Sequence, residues 1–593
     1  MKFEKGMITI LDFYVDEPAC LGVPPYFAPY CRYVAGALAC SGIPQEKIKY
    51  LTVDKWRTDK GLGLDSELVI LIAGFTVPGK YLGGKIGTAA EVSEFLGLRR
   101  LENKNSKTLV GGPIRFAPDS IRENINRSGG LLIDGDVERF VFETIRYSKQ
   151  SGLNLTEVQK FNLSPGNHLR SNQQISEWST VGAFVTSLHP NYPYLINELE
   201  TYRGCTRLVK CSFCTEAFYG DPDFREQSDI KNEVRALNEL GNQYFRLGRQ
   251  ADLLTYGSDS SQRRSGFPKP RPKEVEVLYE GIREAAPDLK MLHLDNINPG
   301  LIANYPEEAK QILETIAHYN TPGDTAAMGV ESVDDLVRQV NSLKCDRSEA
   351  MKAIELVNEA GGRREGGIPK LLPGLNFIHG LPGESDKTFQ ENYEFLKEVL
   401  DNGLILRRIN IRQITIHQGS TAEKLSQDKE FAKELGFELK RHKRSVLEKK
   451  FKYFRDKIRQ EIDRPMLEKV FPRGTLIREL IPEFQNLGYT FGRQLGSYPV
   501  TVKIPIDDRD ATEALEQKKP IDVIITGYQE RSVTGISHPI KINLLGHKAL
   551  AQIPGIGKKR ATTIFLKRPL TNLGELQGVI DGPFWGNEDD YMF

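Results

Sequence analysis

Cys205, Cys211 and Cys214 lie in the run Thr201-Tyr-Arg-Gly-Cys-Thr-Arg-Leu-Val-Lys-Cys-Ser-Phe-Cys-Thr215, three of only seven cysteines in 593 residues. The pattern is C-x5-C-x2-C. A closed structural zinc site takes four protein ligands, whereas a four-iron cluster held by three thiolates leaves one iron open to another molecule. Three thiols so close together therefore constrain this part of the chain more than any other residues in it.

The two-residue gap between Cys211 and Cys214 lets one turn present both sulfurs to one centre. Arg207 and Lys210, in the longer gap, favour thiolate over thiol. Gly204 permits a tight bend beside the first ligand. An iron–sulfur cluster, a zinc site completed by a remote fourth ligand, a redox dithiol and thiols buried by chance all remain compatible with this spacing.

The composition bounds the setting. A net charge of +1 gives no global field for polyanions, so any nucleic-acid binding must use local patches. Seven scattered cysteines do not make a secreted disulfide framework, and a reducing cytoplasm is expected. No charged-then-apolar leader and no apolar run of spanning length is found, so no membrane partner is expected.

Residues 7–15 read as a buried strand, followed by a helix from about Pro29 to Cys40. Short apolar runs at Leu68–Ala73, Thr108–Val110 and Leu131–Asp134 alternate with helical stretches, which predicts a small doubly wound α/β domain over residues 1–150. Gly111-Gly-Pro113 and Asp134-Gly-Asp-Val-Glu138 fall just past strand ends, where open α/β sheets bind ligands. Residues 151–195 read as a polar connector. Strands at Tyr244–Leu247, Met291–Leu294, Ala327–Val330, Leu375–His379 and Ile409–Ile416 alternate with helices such as Asp229–Leu240 and Ser348–Ala360, so residues 196–425 suit a partial (β/α)6 barrel. Residues 426–495 form a charged helical extension, with Lys440, Arg441, Lys443, Arg444, Lys449 and Lys450 on a solvated or phosphate-facing side. Residues 496–544 alternate as a small β module. Residues 545–593 are helical around Ile553-Pro-Gly-Ile-Gly557.

The cysteine segment, with Phe213 between the last two thiols, resembles the cluster loop of radical S-adenosylmethionine (radical SAM) enzymes. Their commonest spacing is C-x3-C-x2-C, so two extra residues after Cys205 are a departure that bears on loop shape. Phe224–Ile230 with Glu233–Leu237 resembles the family's first helix after that loop. Gly329-Val-Glu-Ser332 resembles its strand-four motif, and Gly380-Leu-Pro-Gly-Glu384 its strand-five motif. The resemblance implies a [4Fe-4S] cluster on Cys205, Cys211 and Cys214, S-adenosylmethionine (SAM) on the open iron, an electron-donor protein, and a 5′-deoxyadenosyl radical that takes hydrogen from substrate. By position, Glu331 would hydrogen-bond the ribose or amino group of SAM, and Gly380 and Gly383 would let backbone approach adenine. The family's Gly-Gly-Glu after strand two is replaced by Leu247-Gly-Arg-Gln-Ala-Asp252, which leaves Gln250 or Asp252 to serve the amino group. Asp295 and Asn296 could face substrate. His379 and His417, also near strand ends, read first as structural histidines, as does Cys345 among helical residues.

The first domain loosely resembles the Rossmann-like domain of B12-dependent and methylthiotransferase members. The Asp-x-His-x-x-Gly cobalt signature is absent, no histidine preceding His168, so any cobalamin would bind without that ligand. Cys20, Cys31 and Cys40 raise a second cluster such as methylthiotransferases carry in this domain, although their close spacing does not match that of those enzymes. Cys31 and Cys40 read first as ordinary half-buried cysteines, and Cys20, in a Pro/Gly-rich loop, leaves the second cluster open. The module from about Ser497 to Leu544 resembles a TRAM-type RNA-binding barrel. Leu550–Ala561 resembles a helix-hairpin-helix, in which Gly555 and Gly557 expose backbone N–H groups and Lys558, Lys559 and Arg560 add charge for phosphates. Together these imply an enzyme acting on RNA, tRNA foremost and in preference to DNA. A protein or small-molecule substrate, or a non-catalytic iron–sulfur sensor of nucleic acid, are the other readings.

Overall fold

The computed structural model describes residues 6–17, 20–74, 80–81, 84–102, 107–151, 169–427, 430, 433 and 444–593. Lys440, Arg441 and Lys443 of the expected basic face, and His168, lie outside the described residues. No helix among the described residues is long and apolar enough to cross a membrane.

The first domain contains β1 (Ile8–Asp12), α1 (Pro29–Cys40), β2 (Ile48–Thr52), β3 (Leu68–Ile72), α2 (Ala89–Glu102), β4 (Lys107–Gly111), α3 (Asp119–Arg127), β5 (Leu131–Leu132) and α4 (Val137–Ser151). The strands are parallel, in the order β2-β1-β3-β4-β5. This is a doubly wound sheet whose switch point lies between β1 and β3. β1 and β3 are buried throughout, as strands covered on both faces must be. β2 escapes a hydrophobic reading because Lys49 and Tyr50 interrupt its apolar pattern.

The polar connector is a packed element where it is described. A helix at Asn172–Val181 buries Trp178 against α1, so closely that a Cβ on Gly36 would stand 2.0 Å from the Trp178 carbonyl. Periodicity alone missed it because only Ile175, Trp178 and Ser179 are buried, too few apolar positions to mark a helical stripe.

The central unit has β6 (Ile196–Leu199), β7 (Tyr244–Leu247), β8 (Met291–Leu294), β9 (Asp324–Glu331), β10 (Leu371–His379) and β11 (Arg408–Gln413), with helices such as α5 (Gln227–Glu239), α6 (Pro272–Ala285), α7 (Pro306–Tyr319), α8 (Arg347–Gly361) and α9 (Asp386–Asp401) between strands. The strands run parallel in chain order, as the expected six-fold partial barrel. β8 breaks at Asp295 and resumes as Asn296–Ile297 beside β9. The short strand Tyr26–Phe27, from the first domain, extends the β6 edge.

The gap between Tyr26 and β11 is bridged from the far end of the chain. Tyr26 donates its hydroxyl to the Gly496 carbonyl (2.9 Å), Ser497 N donates to His293 Nδ1 (2.8 Å), and Arg407 donates to the Tyr498 carbonyl (3.0 Å). The loop holding these residues belongs to a closed five-stranded barrel: β12 (Leu476–Asn486), β13 (Tyr489–Gln494), β14 (Thr501–Pro505), α10 (Arg509–Gln517), β15 (Ile521–Tyr528) and β16 (Ser532–Ser537). Its order is β12-β13-β14-β16-β15, closing back on β12, with only the β14–β16 pair parallel. That is the arrangement of an OB-fold. The barrel begins at Leu476, not at residue 496 as expected. β12 carries Pro482, two register shifts and a left-handed Glu479, so its alternation is broken and it reads as more of the charged helix before it.

The tail follows as α11 (His547–Gln552), α12 (Lys558–Lys567) and α13 (Leu573–Ile580). Its core is continuous with Ile524 and Ile536 of the barrel, and Ile540–Lys541 pairs with Tyr591–Met592.

Candidate active site

A cavity of about 860 Å³ occupies the lumen of the open barrel. Its wall includes Cys205, Cys211 and Cys214, then Asp252, Asp295, Asn296, Gly329, Glu331 and His417. Most of these residues follow the C-terminal ends of barrel strands, where such folds carry their chemistry. Gln250, Gly380 and Gly383 are not among its lining residues.

The cysteine loop is held by its own charged residues. Gly204 has φ +87°, and a Cβ there would stand 2.7 Å from the Asp221 carbonyl, so this bend requires glycine. Arg207 donates to Cys211 Sγ (3.0 Å) and to the carbonyls of Ser342 and Leu343 (3.0 and 3.3 Å). Lys210 folds back on the carbonyls of Cys205 and Arg207. The extra length of the first gap is thus taken up by two cations tying the loop to itself and to the segment after β9. Ser212 adds a bond to Asn341 Oδ1 (2.8 Å).

Burial raises the Cys205 and Cys214 thiols, Cys214 further through the neighbouring cysteines. Among the described residues no three His, Cys, Asp or Glu side chains form a group that could hold one metal ion. The thiolates of an iron–sulfur cluster bind separate irons, and three cysteines on one cavity wall, with an N–H donor on one sulfur, suit that group.

Two carboxylates face the same space. Glu331 ends β9 in the left-handed region, φ +66°, at a register shift beside Gly329. Its Oε2 is buried with no hydrogen-bond partner, and burial pushes its pKa up to about 7 despite Lys344 and Arg412. A Cβ on Gly329 would stand 2.3 Å from Glu331 Oε1 and 2.5 Å from Lys344 Nζ, so glycine makes room for an anion and a cation at one point. Asp252 caps a short helical turn through Oδ1 (3.1 Å to Leu254 N), while its Oδ2 is buried without a partner. Burial raises it also to about 7. Unsatisfied buried carboxylate oxygens are costly, and these two, beside the cysteines, fit the amino and hydroxyl groups of SAM.

Gln250 spends its side chain on Thr201 (3.3 Å) and the Leu247 carbonyl (2.6 Å), so of the two candidates after β7 only Asp252 faces the cavity. Gly380 and Gly383 have φ +87° and +88°, and Gly380 N donates to Glu384. Glu384 also pairs with His379 Nδ1 (2.8 Å), whose ring stacks on Phe389 at 4.1 Å. His379 is therefore structural. Asp295 accepts from Tyr498 (2.9 Å) and pairs with Arg246. Lys344, Arg408 and Tyr498 carried no sequence signal, since each reaches the site only through folding.

The first domain docks behind the cysteine loop through buried ion pairs: Asp136 with Arg203 (2.8 Å), and Arg170 bridging Glu138 (3.0 Å) and Glu200 (2.7 Å), while Arg115 (3.2 Å) holds Asp136 from within the domain. Burial opposes the charge on Asp136, but Arg170, Arg203 and Arg115 hold its carboxyl far below the ordinary range. The Asp134–Glu138 segment is thus engaged with protein, as is Gly111, where a Cβ would meet Val137 at 2.5 Å. Burial raises the Cys31 thiol, near Asp12, the Cys40 thiol, near Glu177, and the Cys20 thiol, near Glu198 and Glu17.

In the tail, Gly555 has φ +85°, and both Gly555 and Gly557 border open space. Lys558 and Lys559 are exposed at the start of α12. Arg560 is drawn back onto the Gly555 carbonyl (2.8 Å), so it braces the turn.

The site is thus an open parallel barrel with three cysteines on its cavity wall. Residues 199–396 match the Radical SAM superfamily model. An uncharacterized protein of Methanocaldococcus jannaschii is 37% identical over 91% of this chain and 95% of its own length. A ribosomal protein uS12 methylthiotransferase RimO of Herpetosiphon aurantiacus is 26% identical over 38% of this chain and 42% of its own. Among solved structures, the radical SAM methyltransferase TsrM from Kitasatospora setae aligns with TM-score 0.48 and 13% identity, covering 72% of this chain and 76% of that one. The chain belongs to the radical SAM superfamily, whose enzymes use a [4Fe-4S] cluster and SAM. Within it, the chain shares nearly its whole length with the archaeal protein.

Proposed function

We propose that this radical SAM enzyme modifies RNA, with tRNA the foremost substrate. When bound, the cluster and SAM supply the radical that activates a carbon–hydrogen bond. The chain's own residues do the rest. Cys205, Cys211 and Cys214 would hold the cluster, and Glu331 and Asp252 would orient SAM.

One observation carries the substrate class. Arg493 of β13 and Glu530 and Arg531 of the β15–β16 loop line the same cavity as the three cysteines. In OB-folds the corresponding strand face and loop bind oligonucleotides. On the outward face of β12 and β13, Phe484 and Phe491 stack at 4.9 Å with Lys503 over Phe491, a platform suited to a base with a cation beside it. The helical hairpin, with Lys558 and Lys559, adds a sequence-independent hold on phosphates.

Mass spectrometry of RNA nucleosides from a strain lacking this chain tests the reading. A nucleoside missing in that strain and restored by the wild-type gene, but not by a Cys211→Ala gene, is expected. An unchanged nucleoside profile counts against RNA and for a protein or small-molecule substrate.

A further inference from the structure

β11 begins Arg408-Ile-Asn-Ile-Arg412, and its period of two sends Arg408, Asn410 and Arg412 into the lumen while Ile409 joins the core. Arg408 stands over the Tyr498 ring, its guanidinium carbon 3.9 Å from the centroid. Its side chain has no hydrogen bond or ion pair among the described residues. Arg531 comes from the facing β15–β16 loop and stands 3.7 Å from Asp463, too far for a hydrogen bond. It is about half exposed, so the cavity meets solvent there. The neighbouring Arg407 uses one nitrogen on Tyr498 and leaves Nε buried without a partner.

We propose that Arg408 and Arg531 form a phosphate site, which binds a backbone phosphate of the RNA strand whose next nucleotide enters the barrel. This rests on the RNA reading above. The chemistry is that of guanidinium groups from two elements, one fixed in position against an aromatic ring, which suits a tetrahedral oxyanion better than an isolated charge would. Counter-charge is sparse: Asp463, raised to about 6 by burial, and the exposed Glu530 face these arginines, while Asp295 is committed to Arg246. Burial, with Arg412 and Arg531 nearby, disfavours the charge on Arg408, a cost that a bound phosphate relieves. Arg408 and Arg412 are four residues apart on the strand, about 13 Å. That span accommodates a nucleotide from its phosphate to the far edge of its base, directed toward Glu331 and the cysteines.

The test uses full-length, cluster-reconstituted protein and measures binding of a mixed-sequence single-stranded RNA, of AMP and of SAM as salt is varied. The comparison is wild type against Arg408→Gln with Arg531→Gln, against Arg408→Lys, and against Lys558→Glu with Lys559→Glu in the tail. The expected result is a roughly tenfold or greater loss of RNA affinity in the double glutamine variant, with the salt slope reduced by about 0.7. Unchanged SAM binding and partial retention of RNA binding by Arg408→Lys complete that result and exclude misfolding. Normal RNA affinity and slope in the glutamine variant, with loss only in the tail variant, overturn the site while leaving the RNA reading intact. AMP binding that depends on Arg408 in a protein that binds no RNA keeps the phosphate chemistry but overturns its backbone source and the RNA reading together. Loss of SAM binding alone overturns the site by giving these arginines to the cofactor.

Discussion

Tyr498 donates its hydroxyl to Asp295 at 2.9 Å, joining residues 203 positions apart in the chain. Tyr498 sits in the left-handed region, φ +54°, which a tyrosine adopts only when its surroundings hold it there. Those surroundings are Tyr26, Arg246, Arg407 and Arg408. The small barrel is therefore built into the wall of the catalytic one. Tyr498→Phe leaves Asp295 with Arg246 alone and should cost about 1–3 kcal/mol. Thermal unfolding would show a lowered midpoint, and an unchanged midpoint would mean that the hydrogen bond adds nothing.

Arg207 donates to the sulfur of Cys211, and such a bond stabilises the reduced, more negative form of a cluster. Arg207→Gln should retain iron but shift the cluster's reduction potential to a more negative value. Redox titration followed by electron paramagnetic resonance reads this directly. A potential equal to wild type would reduce Arg207 to a brace for the Ser342 and Leu343 carbonyls.

The pKa of Glu331 lies near 7 because burial disfavours its ionised form. The folded pKa is raised, so ionisation costs the folded state nothing below the ordinary carboxylate value and its full penalty above about 7. SAM carries positive charge and restores a partner to the carboxylate. SAM affinity should therefore rise as pH increases from about 6 to 8, with proton release on binding. Calorimetry in buffers of different ionisation enthalpy would detect the proton, and Glu331→Gln should abolish the dependence. A flat profile in wild type would place the SAM contact elsewhere.

Gly329→Ala introduces a methyl group at the point where Glu331 and Lys344 converge. Both side-chain ends must move, and displacements near 1 Å at such a site cost up to about a hundredfold. Expected are weakened SAM binding and slowed 5′-deoxyadenosine release with the iron content intact. Loss of iron as well would instead tie Gly329 to the cysteine loop.

The tail requires a charge change more than a deletion. Residues 545–593 share a core with β15 and β16, so removing them would expose the barrel. Lys558→Glu with Lys559→Glu avoids this and should lower RNA affinity, reducing the salt slope by about 0.7 for each phosphate that is no longer neutralised. An unaltered binding curve would confine the hairpin to packing.

Local chemistry made much of this legible in the sequence. Cys205, Cys211, Cys214 and Glu331 share one cavity, and the β7 to β11 strands stand where their apolar runs placed them. What escaped depends on distant partners. Gln250 resembled a ligand in sequence, yet its amide is consumed by Thr201 and the Leu247 carbonyl. The OB-fold's first strand was hidden by Pro482 and its register shifts. Tyr498 and Arg408 carry no local signature, because each matters through a neighbour from another module.

The most direct test is anaerobic incubation of the reconstituted full-length enzyme with reductant and SAM, with and without RNA from a strain lacking this chain. The account predicts 5′-deoxyadenosine release that this RNA accelerates and that Cys211→Ala abolishes. A fully loaded cluster that releases no 5′-deoxyadenosine under either condition would contradict it.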